Sequence, residues 1–293
     1  MLRTSSLQKL RTARICSAQE AFAVLALGQS LAAFELLTNC TGSMLILRYS
    51  LGITKEWYLE LAREETMDPI MITPVFWDTV SCLMKGEVPI VRFLERDRVV
   101  DKVAGICTGL LPMFYDLCVV ARKIKCRNGS ASDMETSDLK AIECRIRSWT
   151  PEPPLHFIVS FSPSELLALE TQASMYRTAS LLLIHRLSNP IGTQDSIALA
   201  LANTIMLNFF KFVSHIGPDV KVPYVTFPIL LASLEIGNLE ADVWESMALL
   251  MLAPVCAAKI LACVEHVWEK RRQGFSGFLW ELTDTGPEFV IVP

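Results

Sequence analysis

The segment that begins at residue 162 constrains the fold most strongly, because it carries a complete helix signal in a few residues. The letters SPSE at 162–165 combine a serine that can cap free amides, a proline that suits the first turn and a glutamate that completes a capping box. Apolar residues then recur at helical spacing. The pattern predicts a long helix from Ser162 to about Leu187.

The break after this helix is short. The letters NP at 189–190 should end the helix, Gly192 permits a tight turn, and Thr193 is expected to cap a second helix from Gln194 to about Ser214. Two helices joined by so few residues are expected to pack antiparallel.

The rest of the chain shows the same alternation of apolar helical runs with brief Pro, Gly or polar breaks. Prolines 69 and 74 are expected to start or stop helices, Pro254 only to bend one, and the run at 157–161 to be extended. Further helices are predicted over Ala18–Leu37, Met44–Leu51, Trp57–Arg63, Val75–Met84, Val99–Lys125, Leu139–Trp149, Ile229–Leu234, Met247–Arg272 and Phe278–Thr283.

Composition supports an all-α chain with a large core. Apolar residues make up 52% of the 293 residues and charged residues 20%, which is too apolar for a disordered protein. We therefore predict a single, multi-helix, bundle-like domain with antiparallel helical hairpins over residues 18–293. A basic segment, residues 1–17, precedes it, and the polar stretch NGSASDMETSD at 128–138 is predicted to be a flexible loop.

The charge balance argues against a domain that binds DNA directly. The formal net charge is −4 and the pI is near 5.7, the wrong sign for neutralising phosphates. Each basic group lies near a predicted helix end, where cations face solvent or the negative end of the helix dipole. These groups are Arg11 with Arg14, Arg122 with Lys123, Lys125 and Arg127, and Lys270 to Arg272.

The nine cysteines are scattered and include no CxxC pair, so the sequence predicts free thiols in a reducing compartment, mostly as small core residues. Only one group has metal-ligand spacing. Cys256, Cys263 and His266 fall near one helical face, but sulfurs on the apolar face of a core helix favour packing over zinc binding.

No catalytic constellation is present in the sequence. Nucleophile elbows, phosphate loops and paired histidines are all missing, and the histidine of His185-Arg186 is interpreted as a helix-end residue. We predict no enzyme activity, no cofactor, and no catalytic, cofactor-binding, metal-binding or DNA-binding residue. Isolated carboxylates in apolar surroundings are expected to pair with arginines such as Arg48 or Arg177; they are Glu35, Asp78, Glu170 and Asp195.

Two segments raise questions of targeting. Residues 1–19 carry four basic residues and no acidic one, the composition of a mitochondrial transit peptide, although a basic start to a first helix, or a piece of a larger protein, is favoured. The apolar run Met247–Val264 contains Pro254 and Lys259, which favours a buried bundle helix over a membrane span. No membrane association is expected.

Four stretches, taken in the order in which they occur along the chain, resemble the fungal-specific transcription factor domain, the helical regulatory region that usually follows a six-cysteine zinc cluster. The closest is YRTASLLLIHRLSNPIGTQD at 176–195, with its Tyr-Arg, His-Arg, Pro and Gly-Thr-x-Asp pattern. The others are Leu25–Leu51, Asp101–Leu117, and VWEKR at 267–271 together with Trp280. The CxxC halves of the zinc cluster are absent.

The resemblance implies a nuclear regulator of transcription that acts through protein partners or self-association, without DNA binding by this chain alone. It leaves open whether the chain is the regulatory part of a longer zinc-cluster factor or a stand-alone relative. Two alternatives remain: a mitochondrially imported helical protein, and a helical module that senses a small-molecule effector between its helices.

Overall fold

The computed structural model describes residues 2–63, 68–94, 100–129, 131–215, 224–237 and 254–291. Within these ranges every regular element is a helix or a short 3₁₀ turn, apart from one isolated bridge between Asp101 and Gly105. The all-α prediction is confirmed. In chain order the helices are α1 (Leu2–Thr12), α2 (Ala18–Thr38), α3 (Ser43–Thr54), α4 (Tyr58–Leu61), α5 (Asp68–Lys85), α6 (Leu111–Cys126), α7 (Asp133–Ser148), α8 (Phe157–Ser160), α9 (Pro163–Ser188), α10 (Asp195–His215), α11 (Thr226–Glu235), α12 (Pro254–Arg272) and α13 (Leu279–Thr285).

The hairpin of α9 and α10 forms as the sequence predicts. The Ser162 hydroxyl accepts the Glu165 amide, and the Glu165 carboxylate accepts the Ser162 amide, so both halves of the capping box are present. His185 contacts Gln194 beside the loop, and Ser174 contacts Asn208 far from it. This order of contacts is that of two antiparallel helices.

The expected capping role of Thr193 is wrong. Its hydroxyl donates to the Pro190 carbonyl at 2.6 Å, which closes the turn from within. Asp195 supports the start of α10 instead, since its carboxylate accepts the Gly192 amide at 3.1 Å. Gly192 has a φ of +91°, a conformation that suits glycine.

A second pair, α2 and α3, packs at unusually close range. A side chain on Gly28 would place its Cβ 2.3 Å from the Cβ of Ser50, so only glycine permits this approach. The turn between them contains Cys40 and Gly42, both with positive φ. The preceding helix, α1, packs on α2 and buries Leu10.

The predicted helix Val99–Lys125 is only partly correct, because the helix begins at Leu111 and residue 99 lies outside the described residues. Between them Asp101 forms a turn in which its carboxylate accepts the amides of Val103 and Ala104 at 2.8 and 2.7 Å. Gly105 has a φ of +56°, and a Cβ there would lie 2.1 Å from the side-chain oxygen of Gln172. Local side-chain hydrogen bonds and this close contact therefore replace the helix.

Three smaller predictions also fail. Pro74 lies inside α5 and does not break it, because its neighbours Val75 and Phe76 are buried in the core and packing outweighs the lost hydrogen bond. The loop predicted at 128–138 is shorter, since α7 begins at Asp133 behind a capping box of Ser132 and Glu135. The apolar run at 157–161 contains the short helix α8.

The hydrophobic core centres on Tyr176 of α9, which is fully buried. Phe76 of α5, Phe114 of α6 and Phe227 of α11 surround its ring with centroid distances of 5.2, 6.4 and 6.0 Å. One aromatic side chain thus joins four helices that are far apart in the sequence.

By length and composition alone, α2 and α10 are apolar enough to cross a membrane. Each packs on a neighbouring helix, α2 on α3 and α10 on α9, yet only 33% of the most apolar stretch of α10 is buried. The run considered at Met247–Val264 begins outside the described residues. From Pro254 onward it forms α12, which buries Ile260 and Val264 among other residues.

Candidate functional site

The most concentrated polar structure in the described part of the chain is a buried ion pair between α9 and α11. Arg186 is 2% exposed and Glu235 is 6% exposed. The Arg186 Nε donates to Glu235 Oε1 at 2.7 Å and its Nη2 to Oε2 at 2.6 Å, a bidentate pair. Burial of both charges is tolerated because each satisfies the other.

Arg186 also organises the loop between α9 and α10. Its Nη1 lies 3.3 Å from the carbonyl oxygens of both Pro190 and Thr193, and its Nη2 lies 2.8 Å from Asp195 Oδ1. The guanidinium therefore fixes the end of one helix, the turn and the start of the next. The spacing His-Arg, Pro, Gly-Thr-x-Asp is the spacing that this geometry needs.

Arg271 and Trp268 bring α12 to the same place. The Arg271 Nη1 donates to Glu235 Oε2 at 2.9 Å and to the Leu234 carbonyl at 2.7 Å, while the Trp268 Nε1 donates to the Ser233 carbonyl at 2.9 Å. These bonds satisfy carbonyls at the C-terminal end of α11. The Arg271 guanidinium also stacks 4.6 Å from the Trp268 ring centroid.

We call Arg186, Asp195, Glu235 and Arg271 the charge centre. Burial by itself would lower the pKa of the Arg186 guanidinium, but its hydrogen bonds and charge pairing with Glu235 and Asp195 raise the pKa above its usual value. Arg186 therefore stays charged at any physiological pH. A group that holds its proton so firmly cannot serve as a general acid or base.

The charge centre offers little space for a ligand. The cavity beside it, lined by Leu183, Arg186, Trp280 and their neighbours, has a volume of about 10 Å³, room for about one water molecule. Its arginine donors already point at carboxylates and carbonyls. The arrangement is suited to holding helix ends together. The cavity here is too small for a small-molecule effector, so the binding of such an effector stays a prediction.

The Tyr-Arg pair at the start of the same segment is also structural. Tyr176 is the centre of the aromatic core, and Arg177 donates its Nε to the Ile146 carbonyl at 3.1 Å at the end of α7. A further contact joins Arg177 to the carbonyl of Arg147. The segment therefore secures the ends of three helices, α7, α9 and α11, and the start of a fourth, α10.

The three residues with metal-ligand spacing do not form a site. Cys256 points to Cys40, Cys263 is buried in the core, and the Nε2 of His266 is buried without a hydrogen-bond partner. In the described ranges no group of three or more His, Cys, Asp or Glu side chains is placed to hold a metal ion.

His185 lies at the end of α9, where its Nε2 is 3.2 Å from the Gln194 carbonyl oxygen and its Nδ1 is 3.4 Å from the Asn189 amide nitrogen. Burial, with help from the Arg186 charge, lowers the pKa of His185 and so favours the neutral form of its ring. Both ring nitrogens therefore face groups of the helix end and its loop.

The carboxylates singled out in the sequence have different fates. Asp78 pairs with Arg48 at 3.4 Å; Arg48 is one of the two arginines that the sequence offers as partners, although the sequence does not say which carboxylate it joins. Asp195 pairs with Arg186 and, at 3.6 Å, with Arg271, neither of which the sequence indicates as its partner. Glu35 accepts a hydrogen bond from the Asn39 amide, and Glu170 is exposed. The missed member of the charge centre is Glu235, one residue beyond the predicted end of its helix.

Four of the nine basic residues singled out near helix ends are neutralised, whereas Arg11, Arg14 and Lys270 make no ion pair with the described residues. Each of the following pairs has an N–O distance between 2.6 and 3.0 Å: Lys125 with Asp284, Arg127 with Glu135, Arg271 with Glu235, and Arg272 with Glu269. Arg122 and Lys123 make no ion pair with the described residues, and they line a shallow open groove at the end of α6.

A model of the fungal-specific transcription factor domain matches residues 4–284. The chain belongs to this family. The match covers the charge centre, the aromatic core and the described helices, apart from the first two residues of α1 and the last residue of α13. A search of curated proteins and a search of solved structures gave no significant match.

Membership of the fungal-specific transcription factor domain family supports a regulatory role in transcription. The family suggests a protein that is not an enzyme, and in general a nuclear one. The mitochondrial alternative gains no support from it. Within this family domain, the stretch at 176–195 and the WEKR stretch, which lie far apart in the sequence, meet at the charge centre.

Proposed function

We propose that this fungal-specific transcription factor domain regulates transcription in the nucleus through contacts between proteins and does not itself bind DNA. The exposed face of α10 carries the proposal. Leu199, Leu207 and Phe210 are 42%, 54% and 42% exposed, although a folded domain usually buries such residues in its core.

These residues lie on one stripe. Leu199, Asn203, Leu207 and Phe210 are separated by four, four and three positions, which places them along one side of a helix over about 16 Å. Spacings of three and four are those of helices that pair along a seam. We define these four residues as the α10 stripe.

The occupant that we infer is a second copy of the chain. A twofold axis at Asn203 would place Leu199 of one copy on Leu207 of the other, and Leu207 on Leu199, with the two helices antiparallel. The side-chain amide of Asn203 has no hydrogen-bond partner among the described residues, and at the twofold axis it would face the Asn203 side chain of the other copy. The stripe is short, so the association is expected to be weak and to depend on concentration.

The charge distribution supports the absence of DNA binding. The chain has a net charge of −4, and Lys125, Arg127 and Arg271 already pair with carboxylates. DNA affinity rises with the number of phosphates that free cations neutralise. The two unpaired cations of the groove, Arg122 and Lys123, are too few for tight binding.

Sedimentation velocity of the chain mixed with a fluorescent DNA duplex tests both parts in one experiment. We expect a monomer–dimer equilibrium in the protein signal and a DNA signal that sediments as free duplex. Leu207→Asp should weaken the dimer at least about tenfold, because it would bury a charge on both sides of the twofold axis.

Leu155→Asp is the matched control, since Leu155 is 86% exposed and does not belong to α10; it should leave the equilibrium unchanged. A wild-type chain that stays monomeric at high concentration would refute self-association through the α10 stripe. If the duplex sedimented with the wild-type chain but not with the double variant Arg122→Glu, Lys123→Glu, the chain would bind DNA through the groove and the proposal that it does not bind DNA would be refuted.

A further inference from the structure

Two cysteines from opposite ends of the chain meet inside the protein. Cys40 follows α2, and Cys256 lies in the first turn of α12, 216 positions later. Their side chains are 0% and 2% exposed, and their sulfur atoms are 2.6 Å apart. The Cys256 sulfur also lies 3.5 Å from the Leu36 carbonyl oxygen, which aims it at the turn after α2.

This arrangement differs from that of the other cysteines. Cys82 contacts the Asp78 carboxylate and Cys118 the Thr79 carbonyl, while Cys16, Cys126 and Cys144 are exposed. No other pair of sulfurs in the described ranges lies within hydrogen-bonding distance. A separation of 2.6 Å is closer than two unbonded sulfurs normally approach and only slightly longer than a disulfide bond of about 2.05 Å.

We propose that Cys40 and Cys256 are a site of oxidative modification, at which hydrogen peroxide converts two free thiols into an intramolecular disulfide. In the first step the Cys256 thiolate attacks one peroxide oxygen, the O–O bond breaks, and a sulfenic acid and hydroxide form. In the second step the Cys40 sulfur attacks the sulfenic sulfur, the S–O bond breaks, and the leaving hydroxide takes the thiol proton as water. Two thiols lose two electrons, and one peroxide becomes two waters.

The environment sets the rate of this reaction. Burial, and to a smaller degree the neighbouring Cys40, raises the pKa of Cys256 to about 12, while the ammonium of Lys259 acts in the opposite direction. Lys259 is held there by its hydrogen bond to the Cys40 carbonyl at 3.0 Å. Because the thiolate is the reactive form, the disulfide should form slowly at neutral pH and faster as the pH rises.

The bond would fasten the α2–α3 pair to α12, the helix that carries Trp268 and Arg271. It would also close a very long loop, which removes conformational freedom from the unfolded chain. The oxidised protein is therefore expected to be more stable than the reduced one, and its last long helix to be held covalently to the first hairpin.

Peptide mapping of the peroxide-treated, folded chain tests the inference. After treatment, free thiols are blocked with N-ethylmaleimide and the protein is digested without reductant. We expect one cross-linked peptide that joins Cys40 to Cys256 and disappears on reduction with dithiothreitol. The melting temperature should rise by about 5 °C or more and return to its starting value with the same reductant.

Cys263→Ser is the matched control, because Cys263 is equally buried on α12 but contacts no other cysteine of the described residues; this variant should still form the cross-link and gain stability. Cys256→Ser should do neither. Peroxide-treated wild-type protein that stays folded and oxidises Cys16, Cys126 or Cys144 without the Cys40–Cys256 link would overturn the inference. The mapping is read on a single chain, so its result does not depend on self-association.

Discussion

Arg186 is a charged side chain almost completely removed from water, and its surroundings explain why that is tolerated. Glu235 accepts two hydrogen bonds from the Arg186 guanidinium, and Asp195 forms a second ion pair with it. The carbonyls of the loop accept its remaining hydrogen bonds. Removing one partner of such a pair leaves the other charge buried and unpaired, which costs far more than the pair contributes. Single substitutions in the charge centre should therefore damage the fold severely.

We predict that Arg186→Met lowers the free energy of unfolding by about 3–5 kcal/mol, because Glu235 would keep a buried charge with only Arg271 beside it. Urea unfolding followed by far-UV circular dichroism measures this loss. The double variant Arg186→Met with Glu235→Leu should recover part of it, since both buried charges are then removed.

Arg145→Ala serves as the control for this prediction. Arg145 pairs with Asp116 at 3.0 Å, but its side chain is 52% exposed, so its loss should change the stability by less than about 1 kcal/mol. If Arg186→Met behaved like Arg145→Ala, the charge centre would not be the junction that we describe.

The sequence predicts a helix end correctly where the residues that set that end are neighbours in the sequence, and it fails where distant contacts set the end. The start of α9 is encoded locally by Ser162 and Glu165, and the prediction is correct there. The start of α6 depends on the turn at Asp101 and on the approach of Gln172, a contact between distant residues that no periodicity reveals. Pro74 shows the same limitation, because burial on both sides keeps α5 continuous.

The capping box of α9 gives a prediction at this scale. Ser162→Ala removes the acceptor of the Glu165 amide and should lower the free energy of unfolding by about 1 kcal/mol. Thermal and urea unfolding measure the change. Ser162→Thr keeps the hydroxyl and should stay close to the wild type; equal losses in both variants would mean that packing, and not the cap, is responsible.

For the whole molecule, the decisive contacts join distant parts of the chain. The charge centre joins residue 186 to residue 271, Lys125 reaches Asp284, and Gln172 donates to the carbonyls of Val103 and Tyr224. The sequence identified the stretches at 176–195 and 267–271 but not their meeting point. The pairing of buried charges depends on the tertiary arrangement, which the sequence pattern does not contain. The family resemblance indicated a role in transcription but not the geometry of the charge centre.

The residues after the family match also belong to the core. Phe289, Val290 and Ile291 are 4%, 4% and 2% exposed. A chain that ends at Thr285 should lose at least about 3 kcal/mol of stability, because full burial of each such side chain contributes roughly 1.5–3 kcal/mol. Urea unfolding of the shortened chain measures this, and a chain that ends at Ile291 is the control. Equal stability of the two would show that the tail does not contribute to the core.

The position of Arg271 has a consequence for synthesis of the protein on the ribosome. Helix α11 is translated well before α12, so the carbonyls of Ser233 and Leu234 and the Glu235 carboxylate first exist without two of their donors. The charge centre cannot close until the last part of the chain has emerged. A polypeptide released early, by a stop codon or a stalled ribosome, lacks this closure and presents an unfinished core to the quality-control proteases of the cell.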